Sequence, residues 1–230
     1  MLKAIIFDAY GTLFDTGKGS VEAAAEILAK CGRYDIMPEE FYARWKQLHR
    51  MHIDALDDFI CEFEIFHRDL RRLYDEYAID SDADLDVEIM LARQGTRIPY
   101  PETKTVIEKL RERYVICTGS TTDTEPLLKD IRNAGLDFDY IFTSQSLRTY
   151  KPAPEFYSRI LQKIGLEANE VLFVGDSLID DVKGPQSIGI KSCWVNRKNT
   201  EAGENRPDYT VNNLKWIPDV AESLAQCLRA

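Results

Sequence analysis

An aspartate follows the first apolar segment of the chain. Residues Ala4–Phe7 form a short apolar run, Asp8 comes next, and Gly11 interrupts the pattern three positions later. A strand of this kind places its final carboxylate at the carboxyl edge of a sheet, where open α/β folds bind their ligands. An ionised Asp held in such a crevice can attack an electrophile and form a covalent intermediate. The alternative is a strand-ending Asp that only caps the following turn.

Later segments also carry polar residues where predicted strands end or helices begin. These residues are Thr118-Gly119-Ser120 after the strand Tyr114–Cys117, Lys151 at a helix start, and Asp176, Asp180 and Asp181 after the strand Val171–Val174. Because the carboxyl ends of parallel strands share one edge, we expect these groups to lie near Asp8. Thr118 and the amides of the next two residues would donate hydrogen bonds to an anionic intermediate. Lys151 would keep Asp8 ionised.

The number of carboxylates predicts a metal ion. Two carboxylates about 4 Å apart repel by on the order of 4 kcal/mol at a surface-like dielectric. A single lysine cannot offset Asp8, Asp176 and one of the adjacent pair Asp180 and Asp181. Magnesium, an oxygen-seeking cation, would relieve the repulsion and also hold a substrate phosphate. One residue of the pair Asp180 and Asp181 would face the site, and the other would face solvent or cap the next helix.

The predicted secondary structure changes near residue 97. Before it, four predicted helices follow one another: one capped by Ser20 and running to Leu28, one opening at Pro38, one through Phe59 and Leu73, and one from Leu85 to Gln94. After it, helices alternate with short apolar strands, which predicts a parallel, doubly wound sheet. We therefore predict an α/β fold: a Rossmann-like core of residues 1–15 and 97–230 with an α-helical cap of residues 16–96 inserted into it.

Composition and net charge limit the kinds of molecule that the protein is expected to bind. The chain has 230 residues and a net charge of −10, which argues against a nucleic-acid groove or an anionic membrane surface. No apolar run reaches the length of a membrane span. The five cysteines are widely spaced and odd in number, which favours a reducing compartment over a disulfide framework. We expect a cytoplasmic protein that binds a small anionic substrate and binds neither nucleic acid nor membrane; homodimer formation is left open.

Taken together, these motifs resemble those of the haloacid dehalogenase superfamily, over essentially the whole chain. The resemblance implies that Asp8 is the nucleophile, that Lys151 steadies it, and that Thr118 binds the anionic group of the substrate. It also implies substrate contacts from Thr12, Gly119 and Ser120. Asp176 and Asp181 would complete a Mg²⁺ site with Asp8 and Tyr10.

The residue two positions after Asp8 separates two functions. Phosphatases of the superfamily have a second Asp there, as acid for the leaving group and base for water, whereas this chain has Tyr10. A tyrosine with its ordinary pKa near 10 is a poor base at neutral pH. A halide needs no proton to leave, and the segments Asp8–Asp15 and Cys193–Arg197 resemble the 2-haloacid dehalogenase subgroup. A 2-haloacid dehalogenase is therefore the first expectation.

Other residues favour a Mg²⁺-dependent phosphatase as the alternative. The 2-haloacid dehalogenases have Ser and Asn where this chain has Gly175 and Asp176, and they use no metal. They also bind the substrate carboxylate through an Arg after a Trp in the cap, whereas Trp45 is followed here by Lys46. Lys46 is thus a candidate substrate contact or an ordinary exposed lysine. In the phosphatase, water or Tyr10 would partly replace the missing acid. A third hypothesis is a protein that binds an anion or Mg²⁺ with little turnover.

Overall fold

The protein consists of two compact units. The computed structural model describes the backbone of residues 1–227 and the side chains of residues 1–225. One unit contains Met1–Asp15 together with the chain from Ile98 onward, and the other contains Thr16–Arg97. We refer to them as the core unit and the helical unit. Among the described residues, no helix is both long enough and apolar enough to cross a bilayer.

The core unit is built on a parallel sheet. The strands of the chain are β1 Ala4–Phe7, β2 Phe14–Asp15, β3 Ile98–Pro99, β4 Val115–Ser120, β5 Tyr140–Thr143, β6 Val171–Gly175, β7 Lys191–Val195 and β8 Tyr209–Val211. Six of them form one sheet in the order β5-β4-β1-β6-β7-β8, and β2 pairs separately with β3. The position of β1 between β4 and β6 puts the carboxyl end of β1 in the middle of the sheet. Asp8 is therefore flanked by the ends of both neighbouring strands.

Ten α-helices complete the described fold. They are α1 Gly19–Lys30, α2 Pro38–Asp54, α3 Glu62–Tyr77, α4 Ala83–Leu91, α5 Thr103–Arg111, α6 Thr124–Ala134, α7 Ser144–Leu147, α8 Pro154–Ile164, α9 Gly184–Gln186 and α10 Ile217–Cys227. Short 3₁₀ segments at Ala168–Glu170 and Leu214–Trp216 and a π-helix at Leu178–Lys183 lie between them.

Alternation along β1 accounts for the two layers of helices in the core unit. Ile5 and Phe7 belong to the apolar cluster that includes residues of α5, α6 and α10. Ala4 and Ile6 belong to a second cluster, which includes Phe156 of α8. Since successive side chains of a strand point to opposite faces, one buried strand serves both layers. The predicted α/β fold with a doubly wound parallel sheet is confirmed.

Some predicted boundaries were wrong. Ser20 does not cap α1, because the helix begins at Gly19 with Lys18 as its N-cap. Phe59 precedes α3, which begins at Glu62. Apolar spacing marks the buried face of a helix, but it does not mark where the backbone hydrogen bonds begin. The short strand β8 and the helix α10 were not predicted at all.

The helical unit has its own apolar core with polar groups inside it. Phe41 and Trp45 of α2 and Leu70 of α3 are almost fully buried in that core. Asp86 of α4 is also buried and accepts hydrogen bonds from Lys30 and from the Tyr74 hydroxyl. Burying a carboxylate is tolerable when it is paired and hydrogen-bonded, as it is here.

Two histidines of α2 share one buried carboxylate of α3. His49 Nδ1 lies 3.1 Å from one oxygen of Asp69, and His52 Nδ1 lies 2.9 Å from the other. The second ring nitrogen of His49 lies 3.4 Å from Glu62. Burial opposes the charge on His49, but the hydrogen bonds to Asp69 and Glu62 outweigh it and raise the pKa of His49 from 6.5 to about 9. His49 is therefore an imidazolium at neutral pH.

This pairing predicts a stability that depends on pH. Because the folded-state pKa of His49 is raised, its stabilisation is complete below pH 6.5 and is lost as the pH rises through about 9. His49→Gln should lower the free energy of unfolding by about 1–3 kcal/mol near pH 6 and by much less near pH 10. Denaturant unfolding at both pH values measures this. His67→Gln is the matched control, since the partner of His67 is the exposed Asp84. An equal loss at both pH values would contradict the assignment.

Candidate active site

A buried lysine joins two carboxylates at the centre of the sheet edge. Lys151, just before α8, lies 2.8 Å from Asp8 Oδ1 and 2.8 Å from Asp181 Oδ1. All three side chains are buried. Burial opposes the ammonium charge, but the charges of Asp181 and Asp8 outweigh it and raise the pKa of Lys151. Lys151 is therefore a fixed positive charge beside Asp8.

The two oxygens of Asp8 have different surroundings. Oδ1 is bound by Lys151, whereas Oδ2 is buried and has no hydrogen-bond partner among the described residues. The hydroxyl of Thr118, at the register position beside Phe7 on the neighbouring strand, is likewise buried without a partner there. Buried polar atoms are normally satisfied. An open carboxylate oxygen can act as a nucleophile, and an open hydroxyl can donate a hydrogen bond to an anionic group.

Asp176 follows β6 and is the exposed member of the acidic group. The Thr12 hydroxyl donates to its Oδ1 at 3.4 Å, and the Trp194 indole donates to its backbone oxygen at 2.9 Å. Partial desolvation by the surrounding protein and the nearby charge of Asp8 raise the pKa of Asp176 to about 6. The carboxylate is thus held in place while its charge is disfavoured.

The acidic group has the composition of a divalent cation site. Asp8, Asp176 and Asp181 each offer an oxygen, and these three atoms lie within 4.8 Å of one another. Lys151 neutralises one charge, so two negative charges are left uncompensated when all three are ionised. Hard cations such as Mg²⁺ prefer carboxylate oxygens in this arrangement.

Two glycines allow the acidic residues to approach the backbone. A Cβ on Gly175 would lie 2.2 Å from Cγ of Asp181, and one on Gly11 would lie 2.5 Å from Oδ2 of Asp176. Gly11 also has φ of +95°, a conformation that L side chains rarely adopt. These positions require glycine for space, and Gly11 requires it for conformation as well.

The π-helix after β6 contains both Asp180 and Asp181, and Asp181 is the one that reaches Lys151. The Ser177 hydroxyl accepts from the backbone N–H of Asp180 at 3.1 Å and so caps the segment. Asp181 then turns inward, with Oδ1 on Lys151 and Oδ2 accepting the Ser177 N–H at 2.9 Å. Single π-helical turns are often found at functional sites.

Tyr10 has a partner that sequence reasoning missed. Its hydroxyl donates to Asp130 Oδ2 at 3.0 Å, and Asp130 lies in α6 with no exposed surface. Nothing in the sequence distinguishes Asp130 from the charged surface residues of an amphipathic helix. The bond commits the Tyr10 hydroxyl to a carboxylate of the core, which disfavours its expected role as a replacement acid or base.

Two of the predicted substrate contacts lie inside a strand instead of after it. β4 continues through Gly119 and Ser120, which are in register with Phe142 and Thr143 of β5. The prediction ended this strand at Cys117 and placed Thr118-Gly119-Ser120 after it. The register of β1 with β4 ends at Phe7 and Thr118, so beyond that point the paired neighbour of β4 is β5. Substrate contact by Gly119 and Ser120 stays a prediction.

Lys46 lies on α2 of the helical unit. Its ammonium is 5.4 Å from the centre of the Tyr42 ring. With Ser20 and Glu39, among others, it lines a cavity of about 410 Å³ in that unit. A lysine on a cavity wall fits a role in binding an anion, and that role stays a prediction.

Comparison with known proteins identifies the family. Residues 2–189 match the family model described as haloacid dehalogenase-like hydrolase. Because this match covers most of the chain, the protein belongs to the haloacid dehalogenase-like hydrolases. It is therefore a hydrolase, as the motifs predicted.

The relatives include both expected reaction types. The chain is 28% identical to haloacetate dehalogenase H-2 from Moraxella sp. (strain B), over 91% of this chain and 93% of the relative. It is 27% identical to the pyrimidine 5'-nucleotidase PynA from Streptococcus pneumoniae, over 94% of each chain. The fold also matches the HAD-hydrolase YfnB from Bacillus subtilis, crystallised with magnesium, at a TM-score of 0.82 and 20% identity over 96% of this chain and 99% of that one.

Replacing the buried lysine should lower the stability of the protein. Lys151→Met would leave Asp8 and Asp181 as adjacent buried carboxylates without a counterion, which costs about 3–5 kcal/mol of unfolding free energy. Denaturant unfolding at neutral pH measures the loss. Lys163→Met, at an exposed position of α8, is the control and should change little. Equal stability of the two variants would mean that Lys151 does not offset the acidic charge.

Proposed function

We propose that this hydrolase acts on small anionic substrates through a covalent intermediate on Asp8. The supporting observation is the asymmetry of the Asp8 carboxylate. Lys151 binds Oδ1 and stabilises the ionised form, while Oδ2 is buried without a partner among the described residues. A nucleophile needs a charged oxygen that no other group blocks.

The first substrate class in this proposal is the 2-haloacids. Oδ2 of Asp8 forms a bond to the carbon that carries the halogen, and the carbon–halogen bond breaks with its electron pair leaving as halide. Water then hydrolyses the resulting ester, which regenerates the Asp8 carboxylate and gives the hydroxy acid and a proton. In this proposal the Thr118 hydroxyl, which is buried without a partner among the described residues, donates a hydrogen bond to the substrate carboxylate.

The surroundings of Tyr10 favour a halide as the leaving group. An alkoxide must be protonated as it leaves, and the enzyme supplies that proton from a nearby acid. The hydroxyl at the position expected for the acid instead donates to the buried Asp130. A halide leaves without a proton, so this arrangement costs a dehalogenase nothing. The haloacetate dehalogenase among the relatives supports the same class.

A Mg²⁺-dependent phosphomonoester hydrolase is the second candidate, and Asp176 is the observation that favours it. A carboxylate at this position adds a third oxygen to the acidic group. With Asp8 and Asp181 it would hold Mg²⁺, which would neutralise charge on a phosphoryl group. The nucleotidase among the relatives supports this candidate. In both candidates we propose that the helical unit acts as a cap that selects substrates, with Lys46 as an anion contact.

A single set of assays separates the two candidates. Chloroacetate, 2-chloropropionate and a panel of phosphomonoesters are each tested with Mg²⁺ and with a chelator. We expect halide release that the chelator does not affect. Phosphate release that the chelator abolishes would establish the second candidate instead.

Asp8→Asn should lower either activity by at least about a thousandfold, the scale expected when a covalent nucleophile is lost. Asp219→Asn, at an exposed carboxylate of α10, is the matched control and should retain wild-type rates. Full activity of Asp8→Asn would refute the nucleophile assignment whichever substrate is turned over.

Binding of Mg²⁺ can be tested without any substrate. A ligand that binds only the folded state at about 100 times its Kd stabilises that state by roughly 2.7 kcal/mol. We expect Mg²⁺ to raise the Tm of the wild-type protein and of Asp219→Asn, and expect Asp176→Asn to lose most of the increase. An equal increase in all three proteins would show that the acidic group does not bind the ion.

A further inference from the structure

An arginine after β7 contacts the turn that follows Asp8. Arg197 Nη2 donates to the backbone oxygen of Thr12 at 3.0 Å, across 185 positions of sequence. Its Nη1 donates to Glu102 at 2.8 Å. The guanidinium carbon lies 3.6 Å from the centre of the Tyr100 ring, which indicates stacking on that ring. One side chain therefore joins its own segment after β7 to two others, the turn after Asp8 and residues 100–102.

The arginine is held rigidly. The side chain of Arg197 is 17% exposed and that of Glu102 is 9% exposed. Burial raises the pKa of Glu102, but the hydrogen bond and charge of Arg197, together with hydrogen bonds from backbone N–H groups, outweigh it, so that the net shift is downward. A half-buried ion pair of this kind is screened less by solvent than a surface pair. The direction of the Nη2 donor is thus fixed before any substrate binds.

The turn that Arg197 contacts carries several parts of the active site. Thr12 is fully buried, and its hydroxyl donates to Asp176. The next carbonyl, that of Leu13, accepts from the Tyr100 N–H at 2.9 Å and from the Thr103 hydroxyl at 2.8 Å. Asp8 lies at the beginning of the same turn. Any shift of the Thr12 carbonyl would therefore move groups on both sides of it.

We propose that Arg197 is a positioning residue for the hydrolytic reaction, acting through the Thr12 carbonyl to hold the turn between Asp8 and Phe14 in its reactive geometry. The inference rests on the proposed function of Asp8. It assigns a role to a side chain that does not contact the acidic group in the structure. Displacing a reacting group by about 1 Å can cost on the order of a hundredfold in rate.

Lysine cannot replace arginine in this role. The planar guanidinium directs separate N–H groups at Thr12 and Glu102 while its face stacks on Tyr100. The ammonium of a lysine has no planar face, and its donors have no fixed fork geometry. Arg197→Lys keeps the charge and removes the geometry, so it tests positioning and not charge alone.

The kinetic test compares Arg197→Lys with Arg113→Lys. Arg113 is a matched control, because it also pairs with a carboxylate, that of Glu222, and lies 5.7 Å from the ring of Tyr114. Unlike Arg197, Arg113 is exposed, and so is its partner Glu222. With the substrate that the wild type hydrolyses, we expect Arg197→Lys to lower kcat about 10- to 100-fold and to change KM much less. Arg113→Lys should match the wild type in both constants.

A second measurement does not depend on activity. Within the turn, the Gly11 N–H donates to Phe14 and the Leu13 N–H donates to Ala9, each at 2.8 Å. Amide hydrogen exchange at Gly11 and Leu13 should accelerate at least about tenfold in Arg197→Lys and be unchanged in Arg113→Lys. Both proteins are compared at equal distance from their Tm, so that a general loss of stability is excluded.

The outcomes are distinguishable. Unchanged kcat and unchanged exchange in Arg197→Lys, or equal losses in Arg113→Lys, would overturn the inference. A wild-type protein that hydrolyses none of the haloacids or phosphomonoesters would refute the proposed function instead. In that case faster exchange in Arg197→Lys still supports the effect on the turn, and unchanged exchange overturns it.

Discussion

The active site depends on one buried ammonium group between two carboxylates. Lys151 reaches Asp8 from the start of α8, and Asp181 reaches the same ammonium from the π-helix after β6. None of these three side chains is stable alone in the interior, because an unpaired buried charge is very costly. Together they fix the position of three chain segments. The same pairing leaves one oxygen of the nucleophile open, so the electrostatics that stabilise the fold also prepare the chemistry.

The proposal that the leaving group is a halide rests on the hydrogen bond of Tyr10. Tyr10 is two residues from Asp8, but its hydroxyl is directed to Asp130 in the interior of the core unit. The acidic group with Asp176, by contrast, has the oxygens that a metal-dependent phosphatase requires. The segment that begins at Asp8 thus resembles one subgroup, whereas Asp176 resembles the other. The relatives likewise include a dehalogenase and a nucleotidase, at nearly equal sequence identity.

The sequence was sufficient to predict the features that follow from the spacing of apolar residues and from the alternation of strands and helices. Apolar runs followed by Asp8 and by Asp176 predicted that both carboxylates lie at one edge of the sheet. In the structure their strands, β1 and β6, are neighbours. Features that depend on distant contacts were not predictable. Asp130 and Asp69 occupy helices in which a carboxylate normally faces solvent, and only the packed structure shows that both are buried. Arg197 and Thr12 are similarly too far apart in sequence for any local pattern to connect them.

The two glycines beside the acidic residues also limit how such an enzyme can be altered. Any side chain at position 11 or 175 would overlap a carboxylate of the site. Laboratory evolution of new substrate preferences would therefore gain nothing from randomising these two codons, and libraries that include them would consist largely of inactive clones. Useful diversity would have to be introduced where the chain has room, as along the wall of the cavity formed by α1 and α2 in the helical unit.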